Sequence, residues 1–327
     1  MRIAFCGKGG SGKTTLASVF IRWLLAQGKE VLAIDGDINQ HLGAAIGLRP
    51  ETEKSLNKLG NDQLFLKEFV RGTNPRIASL DHISESMPPG RGSRFIKFGD
   101  RANPVLSRYG LMEGNLTFIS IGGHSKEDVA ATCYHRYTGA EGIFLNHLID
   151  GPNEYVVGDM VAGADPFASS GIASRYDVII LVVEPTVKSV AVFNQAQEYL
   201  RPFGLTVKVV GNKIMNEADV DFIKTRVGEN WLGAFESSEF IRRLDRGEQL
   251  DISHLEPANA EILKTLKGLL DCAPRDWGQY LRVGIQYHEI VAKSWGEKWL
   301  GVNPMTQIDP EFSYELVLAG NGASVAW

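Results

Sequence analysis

The turn Gly7-Lys8-Gly9-Gly10-Ser11-Gly12-Lys13-Thr14 constrains the fold of this chain more than any other feature. It follows an apolar run, Arg2 to Gly7, that reads as a buried strand. It precedes Thr14 to Gln27, where Leu16, Val19, Phe20, Trp23 and Leu24 recur at helical spacing until Gly28 stops them. A strand that turns through glycines straight into a helix aims several backbone N–H groups at one point, and the helix start adds its partial positive charge. Bulkier residues would crowd an anion there. The spacing G-x-x-x-x-G-K-[ST] therefore predicts a phosphate-binding loop. Gly9, Gly10, Ser11, Gly12 and Thr15 would line the phosphates, Lys13 would bridge the β- and γ-phosphates of a nucleoside triphosphate, and the Thr14 hydroxyl would hold Mg²⁺.

Further apolar runs follow at Glu30 to Asp35, Leu116 to Ile121, Tyr155 to Val161, Val178 to Val183 and Thr206 to Val210, with enough chain between them for crossover helices. This alternation predicts an α/β fold: a doubly wound, mostly parallel sheet of at least five strands with helices on both faces. Two stretches break it. Residues 71–114 are rich in Gly, Pro, Ser and Arg and read as an insertion or flap at the sheet edge. Residues 273–327 are aromatic, with Trp277, Tyr280, Tyr287, Trp295, Trp299, Phe312, Tyr314 and Trp327, and read as a C-terminal extension to a domain of residues 1–272. A helix from Gln279 to Lys293, then strands or coil, is expected there, its aromatics capping exposed core.

With 34 Lys and Arg against 39 Asp and Glu, the net charge of −5 gives no strong nucleic-acid footprint. The longest wholly apolar run, Val178 to Val183, is far below the ~18 residues of a membrane span, and no signal peptide is expected. Three scattered cysteines without a Cys-x-x-Cys suit a reducing cytoplasm, the expected location.

The loop's first lysine, Lys8, makes Lys-Gly-Gly-Ser-Gly-Lys-Thr-Thr resemble the deviant Walker A signature of the MinD, ParA, ArsA and nitrogenase iron protein superfamily. That resemblance implies an ATPase working as a nucleotide-sandwich homodimer, with Lys8 reaching the partner's ATP; a solvated turn lysine is the alternative. Asp35-Gly36-Asp37 matches the family's D-x-D, which makes Asp37 the candidate for orienting the attacking water, against a plain turn or N-capping role before a helix over Asn39 to Ile46. Val156 to Gly163 resembles a Walker B strand running into switch II, with Asp159 linked to Mg²⁺ through water and Gly163 beside the γ-phosphate. Val209 to Ile214 resembles the base-recognition segment. Its Asn212 suits the adenine edge, and Met215, where related GTPases place an acid, favours ATP over GTP.

Asp159 to Gly163, Val182-Val183-Glu184-Pro185 and Ser189 look most like the CooC-type nickel-insertion ATPases of carbon monoxide dehydrogenase. The resemblance implies hydrolysis of ATP to ADP and phosphate, coupled to a client, a metalloenzyme in that subfamily. Those proteins carry a Cys-x-Cys before switch II, whereas this chain has Cys133-Tyr134-His135. Across a twofold axis, Cys133 and His135 would offer a Cys₂His₂ set for Zn²⁺ or Ni²⁺, with His124 and His147 as outside candidates. A bridging iron–sulfur cluster is not expected, because Ala162 stands where the iron protein has its cysteine. A MinD- or ParA-like positioning ATPase and a P-loop kinase or ligase of a small metabolite are the other readings.

Overall fold

Short runs of Val, Ile, Leu and Ala that are buried on both faces form the centre of the sheet, as a parallel sheet under two helical layers requires. The computed structural model describes residues 1–123, 135–273 and 275–320. Its strands are β1 (Arg2–Gly7), β2 (Glu30–Gly36), β3 (Ile96–Lys97), β4 (Leu111–Glu113), β5 (Leu116–Ser120), β6 (Leu148–Ile149), β7 (Glu154–Met160), β8 (Val178–Val183), β9 (Lys208–Asn212) and β10 (Trp231–Phe235). Eight of them make one sheet in the order β10-β9-β8-β1-β7-β2-β5-β4, parallel except for β4 against β5. Alternate residues of each central strand feed opposite layers. Ile3 and Phe5 join one core with Val31, Val157 and Ile180, while Ala4 and Cys6 join the other with Leu32, Val156 and Leu181.

From β1 the chain passes to β2 on one side, beyond β7, and later to β8 on the other, so the winding reverses at β1. In such sheets a crevice opens at the carboxyl ends of the strands beside the reversal. The glycine-rich loop lies there, and so do Asp35, Asp159, Glu184 and Asn212, each at or just after a strand end.

Several boundaries differ from expectation. The helix expected over Asn39 to Ile46 is shorter, Leu42–Ile46, and the strand expected over Thr206 to Val210 runs from Lys208 to Asn212. Strand β10 had no clear sequence signal, because four of its five residues are only half-buried and its register shifts at Gly233. Residues 71–114 lie at the sheet edge through β4, and they are packed: Ile77, Ile83, Met87, Ile96, Phe98, Val105, Leu106 and Tyr109 enter the same core as Ala4 and Leu181.

At the C-terminus the helix starts earlier than expected, at Trp277, and ends at Val291, leading into a π-helical turn, Ala292–Gly296. Strands were an option beyond it; among the described residues there are instead a 3₁₀ turn, Pro304–Gln307, and a helix, Tyr314–Leu318. Tyr280, Phe312 and Tyr314 pack with Phe95 and Ile149, as core-capping aromatics should. Trp299, 81% exposed, does not, and with Trp295 it lines a cavity of ≈ 780 Å³ beside Lys67, Glu85 and Arg136.

A charged cluster anchors this segment. Fully buried Arg2 donates to Asp150 at 2.9 Å and to the Tyr280 hydroxyl at 2.7 Å, while Arg275 bridges Asp150 at 2.5 Å and Asp177 at 2.6 Å. Burial raises the pKa of Asp150, but Arg2 and Arg275 outweigh it and hold the group far below the usual carboxylate range.

Candidate nucleotide-binding site

The loop's geometry follows from its glycines. Gly10 and Gly12 sit at φ +79° and +95°, conformations that L side chains rarely adopt. A Cβ on Gly12 would also stand 2.1 Å from Asn212 Nδ2. The helix Lys13–Ala26 begins at Gly12 with no acid in its first turn and no side-chain cap among the described residues. Its first N–H groups and dipole are thus directed at the loop, which is the arrangement that binds phosphate.

Lys13 is 7% exposed and turns inward. Its Nζ lies 2.5 Å from Asp37 Oδ2 and 3.8 Å from Asp159 Oδ1. Burial works against the ammonium, yet Asp159 and Asp37 together raise its pKa, so it remains charged. The Thr14 hydroxyl donates to Asp159 Oδ2 at 2.6 Å, while Asp159 Oδ1 is buried without a hydrogen-bond partner among the described residues. Burial pushes Asp159 up to about 6 even with Lys13 beside it. A buried carboxylate oxygen that faces Lys13 at 3.8 Å but takes no hydrogen bond, with a hydroxyl on the same carboxylate, is a hard-oxygen set that fits Mg²⁺, directly or through water.

The two acids of the D-x-D pair divide the turn between them, and Asp37 takes the turn role that stood beside its water-orienting one. Asp35, not Asp37, accepts the Leu42 N–H at the start of the helix Leu42–Ile46, at 3.0 Å. Asp37 accepts from the Asn39 backbone and side chain, both at 3.0 Å, and keeps its other oxygen on Lys13. Behind them lies Glu141, fully buried and unnoticed in the sequence, which takes a 2.9 Å hydrogen bond from the Tyr176 hydroxyl. Burial, with the Asp159 charge adding to it, pushes both Asp35 and Glu141 up to about 8.

These shifts give a pH dependence. Between pH 6.5 and 8 the folded chain holds protons on Asp35 and Glu141 that unfolded carboxylates have already released, so stability falls as pH rises. Burial lowers His147, to about 4, and His288, and their opposing effect, half spent at pH 6.5, fades by about pH 7.5. The Met1 amino group, also lowered by burial, offsets part of the slope. The two acids outweigh the amine above about pH 7, where stability should fall by less than about 1 kcal/mol per pH unit. Urea denaturation at pH 7 and pH 8 measures it, and constant or rising stability would contradict the assignment.

The mouth of the site is charged and open. Glu184 holds Lys213 at 2.6 Å and stands 4.0 Å from Lys8. Lys213, a non-glycine residue at φ +57°, also donates to the Gly10 carbonyl at 2.7 Å. Asn212 Nδ2 donates to the Ser11 carbonyl at 2.7 Å, a bracing role that its sequence context did not reveal. The Gly163 N–H donates to the Gly7 carbonyl at 2.9 Å, tying the segment after β7 to the loop. Beside Thr14, Thr15 and Ser18 a cavity of ≈ 480 Å³ opens, walled further by His41 and Leu244.

The sequence-derived loop residues, Asp37, Asp159, Gly163 and Asn212 thus converge on one crevice. Cys133 and His124 lie outside the described residues, and His135 is described only as the first residue of the helix His135–His147. His147 is buried within that helix, its Nδ1 2.9 Å from the Ile143 carbonyl oxygen. Among the described residues no group of three or more His, Cys, Asp and Glu is placed to hold a transition metal, and no helix is long and apolar enough to cross a membrane.

The chain is similar to known proteins in sequence and in fold. The chain is 28% identical over 239 residues to an uncharacterised ATP-binding protein of Methanocaldococcus jannaschii, covering 71% of this chain and 84% of that one. It is 25% identical over 260 residues to the carbon monoxide dehydrogenase accessory protein CooC of Rhodospirillum rubrum, covering 79% and 91%. In fold it resembles MinD in the MinC:MinD cell division complex of Aquifex aeolicus, with a TM-score of 0.53 and 20% identity over 82% of this chain and 94% of that one. An ATP complex of a Cyanothece McdA variant is similar at TM-score 0.51 and 15% identity, over 82% and 95%. The sequence model of the CobQ/CobB/MinD/ParA nucleotide-binding domain matches residues 3–273, and with that span this chain belongs to that ATP-binding P-loop family.

Proposed function

We propose that this chain is a Mg-ATP-dependent switch ATPase that closes as a homodimer, hydrolyses ATP to ADP and phosphate, and passes the resulting movement to a client protein. The observation that carries the reading is the opposite placement of the two loop lysines. Lys13 is buried among acids, whereas the Lys8 side chain is 40% exposed at the rim and held only loosely. Two exposed apolar side chains, Val187 at 73% and Met215 at 85%, follow the carboxyl ends of β8 and β9, close in sequence to Glu184 and Lys213, and a second protomer would cover them.

In this reading the triphosphate exchanges the Lys13–Asp37 contact for a Lys13–phosphate contact. The freed Asp37 carboxylate then accepts a hydrogen bond from the attacking water, where orientation counts for more than base strength. Thr14 and Asp159 are the residues that would hold Mg²⁺, which supplies charge neutralisation at the β- and γ-oxygens. Gly163, already bonded to Gly7, would report phosphate binding to switch II, and Asn212 would brace the loop while facing the adenine edge. Residues 1–272 form the ATPase unit and 273–327 the appended extension.

For the client, the similarity to CooC supports maturation of a metallocentre, with Cys133 and His135 as the pair that would handle Zn²⁺ or Ni²⁺ between protomers. The experiment is light scattering of the full chain with Mg²⁺ and a non-hydrolysable ATP analogue, beside ADP. A doubling of mass with the analogue alone is expected, and a single protomer at every nucleotide concentration, with turnover intact, would end the dimer reading. Metal analysis of the closed dimer, with and without Cys133→Ala, decides the metal role.

A further inference from the structure

Two glycines stand next to the acids of the site, and each leaves room for one member of a hydrogen-bonded pair of side chains. Gly36 lies between Asp35 and Asp37; a Cβ there would be 2.9 Å from Glu141 Oε2 and 2.9 Å from the Asp159 carbonyl oxygen. Gly158 precedes Asp159 on β7; a Cβ there would be 2.2 Å from the Tyr176 hydroxyl. Glu141 and Tyr176 are joined by the 2.9 Å hydrogen bond and are both buried. The pair therefore fills the space directly beneath both acid-bearing strand ends, which β2 and β7 hold in register, Asp35 beside Asp159.

A buried carboxyl is costly unless it is satisfied, and an apolar pair of the same volume would fill this space without that cost. What the polar pair adds is directional: a fixed oxygen against Gly36 and a fixed hydroxyl against Gly158, backbone positions that only glycine can offer at this separation. The two residues also come from separate parts of the fold. Glu141 is on the helix His135–His147, and Tyr176 closes the 3₁₀ turn Ile172–Arg175, downstream of the segment after β7.

We propose that Glu141 and Tyr176 are positioning residues for the reaction. Together they fix the Asp35-Gly36-Asp37 turn relative to Asp159 and so connect the helix His135–His147 to the nucleotide site. The inference rests on the ATPase reading above, and two independent readouts separate its failure from a failure of that reading. Neither residue touches the nucleotide in this account.

The full chain is compared with Tyr176→Phe, Glu141→Ala, Glu141→Gln and the Tyr176→Phe/Glu141→Ala double variant. Phosphate release with Mg-ATP gives kcat and KM, and hydrogen exchange gives protection of the Asn39 and Leu42 amides, which bond to Asp37 and Asp35. Tyr176→Phe and Glu141→Ala should each lower kcat about tenfold with KM within about twofold, the signature of lost positioning rather than lost binding. Because the two act as one unit, the double variant should be no slower than the slower single variant. Glu141→Gln keeps the shape and an acceptor oxygen for Tyr176, and should return kcat to within about threefold of the parent. The Asn39 and Leu42 amides should exchange at least about tenfold faster in Tyr176→Phe and Glu141→Ala, and at the parental rate in Glu141→Gln.

Unchanged kcat and unchanged exchange in Tyr176→Phe, which alters no volume beyond one oxygen, overturn the proposal even if Glu141→Ala fails to fold. Multiplicative losses in the double variant overturn it as well. If the parent chain releases no phosphate, the ATPase reading has failed, and the exchange pattern alone then decides whether the pair positions the turn.

Discussion

Lys13→Ala should lower ATP turnover by at least about 10²- to 10³-fold, the range found when one preorganised donor to developing charge is removed. Two features of the site argue for the upper end. Lys13 is the cation that the buried acids Asp37 and Asp159 share, and its Nζ lies within 4 Å of both. Its loss removes the charge that faces the phosphates and leaves two carboxylates facing a polyanion in its place. Phosphate release and binding of a fluorescent ATP analogue measure the two parts. We expect both to collapse, and an enzyme that retained a tenth of its turnover would show that the loop lysine is not at the phosphates.

Lys8→Ala should have a different signature. The Lys8 side chain is exposed and its contact with Glu184 is long, 4.0 Å, so its removal costs the protomer little stability. If it acts on the ATP of a second protomer, it works as an arginine finger does in trans, where removal costs about 10³-fold or more in kcat. ATP affinity of the single protomer should stay within a few-fold. Mixing Lys8→Ala with a Lys13→Ala chain provides a sharper check. The mixed dimer would contain one site with an intact Lys13 and a partner that supplies Lys8. Partial recovery of turnover on mixing supports action across the interface, and no recovery, with dimers formed, counts against it.

The loop and the place of Lys13 in it were legible from spacing, because glycines and a lysine at fixed offsets leave little freedom once the flanking strand and helix are recognised, whereas a separate role for Lys8 came only from the family resemblance. Asp159 was legible because it ends an apolar run, where an acid needs a cationic partner, whereas Asp37, one residue beyond β2, was singled out only by the D-x-D resemblance. Glu141 and Tyr176 were not legible. They lie 35 residues apart on a helix and a turn whose own patterns carry no distinctive signal, and only the packing of Gly36 and Gly158 brings them together. The bracing of Ser11 by Asn212 spans 201 residues and was hidden for the same reason. Strand β10 escaped because an edge strand that is half-exposed has neither the uniform burial of the centre nor clean alternation.

The charged cluster at the opposite, amino edge of the sheet has a consequence for where this protein can be divided. A fragment ending near residue 273, where the family match stops, would retain every residue placed around the phosphates. It would lose Arg275 and Tyr280, leaving Asp177 without its guanidinium and Asp150 with fewer cations. Asp150 would keep Arg2 at 2.9 Å and the Met1 amino group at 2.5 Å, but the fragment would give up two buried ion pairs and the Tyr280 contact to Arg2, a loss that urea denaturation of fragment and full chain would measure. The segment that starts at Arg275 is therefore a structural dependency of the family core, tied to the amino edge of the sheet through Arg275 and Tyr280.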